Sequence, residues 1–194
     1  MKDKARSLAS RGAAGVAVLV LAGISAASGQ TPAPAAAPAP LAPQQVLLGS
    51  LELLVPKDFV KMPPDVAKKT YAADRMPNVA FMSPDAAVTI GISHSLSRVS
   101  AAEIPQSRAS SVTQLKTTYP KAEWVKEASN PIGRGGGYLL DIKINQGTTQ
   151  GKRMMIVGTS LAGRLATIVL SAPLKDEAKW APVFEQIVKS IKPL

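Results

Sequence analysis

The chain has 194 residues, 46% of them apolar and only 4% aromatic, enough to bury one aliphatic core of ordinary domain size. It has no Cys and a single His, which excludes disulfide staples, thiolate metal sites, Cys nucleophiles and a lipid-modified N-terminal Cys. The formal charge is +10; setting aside the four cations and one acid of the basic leader leaves 19 against 12, a chain of about +7.

That leader is Lys2, Lys4, Arg6 and Arg11, followed by the uncharged run GAAGVAVLVLAGISAASG at residues 12–29. A basic start, a short apolar stretch and small residues at Ser25, Ala27 and Gly29 form the layout of a secretory signal peptide over residues 1–29. The expected location is a periplasm. An uncleaved anchor is the lesser alternative, because a membrane span needs roughly 20 strongly apolar residues. Residues 30–45, QTPAPAAAPAPLAPQQ, cannot build a core; alternating Pro and Ala favours extended polyproline and reads as a spacer. Export makes nucleic acid a poor partner. The basic residues are scattered, which suits a solvated surface with at most weak contact to an anionic membrane.

One domain is expected over residues 46–194. VLLGSLELLVP, residues 46–56, reads as a first strand stopped by Pro56. A hairpin follows, with strands at Val79–Met82 and Ala87–Ser93 about a turn at Ser83–Asp85. Ser100 and Glu103 have capping-box spacing ahead of Val112, Leu115 and Tyr119, so a helix is predicted to Tyr119, restarting after Pro105. A strand is predicted over Ala122–Ser129.

In the next strand Tyr138, Leu140, Ile142 and Ile144 form an apolar face, and Asp141 and Lys143 mark the other face as solvated. A turn at 146–151 leads to KRMMIVGTS, and Leu161–Gly163 turns again into RLATIVLSA. Both segments are apolar on both parities, the pattern of strands buried on two faces. Trp180, Val183, Phe184, Ile187 and Ile191 then fall on one stripe of a closing helix, in which Pro182 is tolerable only within the first turn. These elements predict the α+β class: a mostly antiparallel, twisted sheet with helices on both faces.

Few residues offer chemistry. GRGGGY at residues 133–138 places Tyr where a dinucleotide fingerprint needs its third glycine, and a period-two strand follows in place of a helix; it reads as a bend, not a phosphate cradle. His94 continues the parity of Val88, Ile90 and Ile92 and reads as a half-buried strand-end residue, with no second His, Cys or acid at a catalytic or metal-ligating offset. No nucleophile elbow occurs. Asp65, Asp74 and Asp85 lack calcium-loop spacing. No catalytic group, metal or cofactor is expected. Candidates for contact with a partner are His94, Trp124, and the adjacent Lys152 and Arg153.

The phrases LELLVPKDF at 51–59, AFMSPDAAVTIGIS at 80–93, GRLATIVLSAP at 163–173 and FEQIVKSIK at 184–192 resemble the PsbP-like superfamily, including its DcrB-type periplasmic members. The resemblance covers nearly all of residues 46–192 and implies an α/β/α sandwich. Its motifs mark the fold and carry no catalytic residues. Members act as accessory or binding subunits, so the resemblance implies a non-enzymatic, exported protein that binds an envelope protein partner. The chain lacks the lipobox Cys of the lipoprotein members. Two other classes stay open: a carrier of a small hydrophobic ligand, and a hydrolase built around His94.

Overall fold

Strands with apolar residues on both parities need a cover on each side, and the computed structural model supplies two different ones. It describes residues 40–129, 136–145 and 151–194. The expected signal peptide, most of the expected spacer, the glycines at 133 and 135 and the turn at 146–150 lie outside those residues. In chain order the elements are β1 (Leu41–Val46), β2 (Leu51–Pro56), β3 (Val60–Lys61), α1 (Pro64–Thr70), β4 (Val79–Met82), β5 (Thr89–Arg98), α2 (Ile104–Thr118), β6 (Glu123–Ser129), β7 (Gly137–Ile144), β8 (Lys152–Leu161), β9 (Arg164–Pro173), α3 (Glu177–Ser190) and β10 (Lys192–Pro193).

Seven strands form an antiparallel sheet in the order β3-β4-β5-β9-β8-β7-β6. One face buries Ile90, Ile92, Val157, Ile168 and Leu170 against Trp180, Phe184 and Ile187 of α3 and against Leu51, Leu53 and Val55 of β2. The opposite face buries Tyr138, Leu140 and Ile156 with Ile104, Val112 and Leu115 from α2. The result is the expected α+β architecture, an antiparallel sheet between helical layers. The compact unit Ala35–Leu194 contains both cores entirely.

Local signals place several elements well. At the Ser83 turn the Asp85 carboxylate accepts from the Ser83 hydroxyl (2.5 Å) and the Ala87 N–H (3.1 Å), holding its acid below the usual carboxylate range. At the start of α2 the Glu103 carboxylate accepts from both the N–H and hydroxyl of Ser100, which lowers its pKa too. Pro105 does not interrupt: a tight turn at Ala101–Glu103 leads straight into α2, leaving Pro105 in the first turn, where its missing N–H costs nothing.

Three expectations are corrected, and one element appears that the sequence did not signal. Residues 46–56 are not one strand. The chain reverses at Leu47–Ser50 into the hairpin β1–β2, and β1 begins at Leu41, inside the stretch expected to be a spacer. Pro182 lies in the second turn of α3; it is exposed, so the carbonyl it leaves unpaired faces water. The polar side of β7 is not solvated: Asp141 is 2% exposed beneath α3. Finally, after α3 the chain adds β10, antiparallel to β2, so its last residues complete the small sheet β1-β2-β10.

Ser190 closes a gap in that small sheet. Beyond β10 the Leu54 N–H has no strand partner, and the Ser190 Oγ accepts it at 2.8 Å while donating to the Ile187 carbonyl at 2.6 Å. Ser190→Ala leaves that N–H without its acceptor and is expected to cost about 1 kcal/mol in a urea melt; an unchanged midpoint would show that water replaces the hydroxyl.

Candidate functional site

Four sheet edges are available to a partner strand, and each is blunted. The Leu54 N–H points at Ser190, so its register partner Pro43 points away from β2 and offers no donor in the middle of the β1 edge. The β6 edge carries Glu123, Lys126 and Glu127 and a register shift between Trp124 and Lys126. Strands β3 and β10 are two residues long. Strand addition is therefore disfavoured by the same devices that prevent aggregation.

What remains open is a cleft of about 530 Å³ where the β1–β2 hairpin overhangs the β3–β4 margin of the large sheet. Its floor is apolar: Val46, Val55, Phe59 and Phe81 are all buried. Phe59 continues inward through an aromatic row, with Trp180 at 5.6 Å and Phe184 at 6.1 Å from Trp180, so the floor is backed by the α3 core. Gln44, Gln45, Lys57 and Lys61 are exposed around the rim.

The hairpin turn beside this cleft breaks a local rule. Leu47 (φ 52°) and Leu48 (φ 58°) both adopt the left-handed conformation that Gly and Asn favour, ahead of Gly49 at φ 82°. For an L-residue this costs about 1–2 kcal/mol. Leu48 recovers nothing by packing, since it is fully exposed at 107%. Strain of this kind gathers at binding and switching sites.

The residues singled out from the sequence are dispersed. His94 lies within β5 and not at a strand end as expected, because β5 runs on to Arg98; its Nε2 lies 3.1 Å from the Leu161 carbonyl, so that nitrogen carries the proton, and its backbone N–H donates to Asn78 at 2.6 Å. Trp124 is half-buried against the α2 core with Lys116 Nζ 5.4 Å above its ring. Lys152 is partly exposed at the start of β8. Arg153 is not a surface residue: it is 7% exposed and bonded to Asp141 and Glu177. A shallower groove of about 400 Å³, between Arg108, Val112 and Glu127, runs along α2. Among the described residues no group of three or more His, Asp or Glu could hold a metal ion, and no helix is long and apolar enough to cross a membrane.

No family model and no curated protein matches this chain. Solved structures do. The solution structure of cyanobacterial PsbP (CyanoP) from Synechocystis sp. PCC 6803 superposes with a TM-score of 0.56 at 12% identity, covering 84% of this chain and 97% of that one. LpqN of Mycobacterium tuberculosis, involved in cell envelope biogenesis, gives 0.49 at 13% identity, covering 79% and 84%. PA94 of Pseudomonas aeruginosa, a protein of unknown function and putative regulator, gives 0.46 at 13%, covering 79% and 97%. The chain has a PsbP-like fold.

Proposed function

We propose that this is an exported, non-enzymatic accessory protein of the cell envelope, which binds a protein partner through the cleft between the β1–β2 hairpin and the β3–β4 margin. The observation that carries the reading is the Leu47–Leu48 turn: two strained leucines, one wholly in water, beside an apolar floor. A folded chain keeps such a turn when the exposed side chain has something to bury against. The leader at residues 1–29 supports export. The lysines at 57 and 61 favour a partner segment that is apolar with acidic flanks.

A photoreactive side chain at position 48 of the exported protein tests the reading in intact cells. A discrete adduct with an envelope protein, absent when the probe replaces Thr113 on α2, is the expected result. The cleft volume also falls in the range of small-molecule sites. Adducts with lipid alone would replace the protein partner with an apolar ligand, and no adduct at all would end both readings. Leu48→Gly relieves the left-handed strain without touching the core. It is expected to stabilise the fold by about 1 kcal/mol in thermal melts while lowering the adduct yield from a second probe at Val60. Lower stability would show that Leu48 has a structural role.

A further inference from the structure

We propose a second, independent site at the far end of the large sheet, where Arg98, Arg164 and Leu96 dock the protein on an anionic phospholipid surface. Arg98 and Arg164 stand directly opposite each other on β5 and β9. Like charges in that position oppose strand pairing. Both are exposed, and among the described residues no carboxylate lies within ion-pair distance of either. The acid closest along the chain, Glu103, is already committed to the Ser100 cap. The register leaves Ser95, Leu96 and Ser97 facing the single residue Leu165, a bulge in which Leu96 is 88% exposed. Bulges re-aim side chains at the margins of sheets.

This end is braced from several directions. The His94 ring meets the Leu161 carbonyl at 3.1 Å, the Val99 N–H donates to the Gly163 carbonyl at 2.8 Å, and the Ser160 hydroxyl donates to the Val99 carbonyl at 2.8 Å. The two guanidinium groups are therefore presented on fixed backbone beside one exposed apolar side chain. That chemistry fits headgroup phosphates with a hydrocarbon boundary beneath them.

The segment 35–194 should co-sediment with phosphatidylcholine vesicles that contain phosphatidylglycerol, not with phosphatidylcholine alone, and the binding should weaken as salt rises. Arg164→Glu removes one positive charge and adds a negative one, so retention should fall about twenty-five-fold, at about fivefold per charge near the surface. The same change creates a cross-strand ion pair with Arg98, so the melting temperature should stay level or rise, separating lost binding from lost folding. If that variant melts lower, Arg98→Gln takes its place, with about a fivefold loss expected. Equal retention of the variant and the parent chain, or equal binding to neutral vesicles, would overturn the site. Release from the vesicles by inorganic phosphate at constant ionic strength would also overturn the membrane assignment, showing a site for the free anion.

Discussion

Asp141→Ala is expected to lower stability by about 3 kcal/mol, more than any surface substitution. Asp141 and Arg153 form a bidentate pair beneath α3, Nε to Oδ1 at 3.0 Å and Nη2 to Oδ2 at 2.6 Å, and both residues are almost fully buried. Arg153 also donates through Nη1 to Glu177 at 2.9 Å, and Glu177 meets Lys143 at 3.1 Å. The Asp141 carboxylate beside it holds the Arg153 guanidinium above its ordinary pKa, so the cation cannot escape by losing its proton. Deleting the carboxylate leaves a desolvated charge with Glu177 alone. Replacing both partners by apolar residues, Asp141→Leu with Arg153→Met, should recover most of the loss, because the burial cost disappears together with the attraction. Urea denaturation of the parent, single and double variants reads this directly. A double variant no more stable than the single one would show that the pair adds net stability, contrary to this account.

Gly158→Ala is the second large effect, also about 3 kcal/mol, and it arises from volume. A Cβ at residue 158 would fall inside the ring of Tyr138, its partner across the β7–β8 ladder. Tyr138 cannot yield. It is 1% exposed, and its phenol oxygen is held 3.0 Å from the Ser111 hydroxyl of α2, with burial pushing its pKa above the ordinary value. The ring fills the space of the missing side chain, and so seats α2 on the sheet. Adding Tyr138→Leu to Gly158→Ala should therefore cost less than the sum of the two single changes, a coupling readable from a thermal double-mutant cycle. Strict additivity would mean that the ring has room to move.

The elements that the sequence revealed are those whose signal is local. The α3 stripe, the Ser100–Glu103 cap and the Ser83–Asp85 turn each involve contacts within a few residues, and each lies where its pattern predicts. Burial of Asp141 is not legible in the sequence, because alternation along β7 separates an apolar face from a polar one but cannot say which is covered. The answer lies in Arg153 on β8 and Glu177 on α3, each from a different element. The cleft was invisible for a related reason: its walls come from residues 44–48, 55–61 and 79–81. Leu47 and Leu48 carry no turn signature, since Asn or Gly would normally mark such a reversal. The β-propensity of VLLGSLELLVP therefore suggested one strand where there are two. Arg153 looked like half of a basic surface pair because adjacent residues in a strand face opposite sides: Lys152 is partly exposed and Arg153 lies in the interior.

The meeting of β10 with β2 fixes an order of events during synthesis. Lys192 pairs with Glu52, Pro193 with Leu51, and the Leu194 N–H reaches the Ser50 carbonyl at 3.0 Å, so the β1–β2 hairpin must wait for a strand made long after it. Until then the growing polypeptide lacks the strand that completes its smaller sheet, and the contacts it awaits span nearly the whole molecule. Such long-range closure is slow and late.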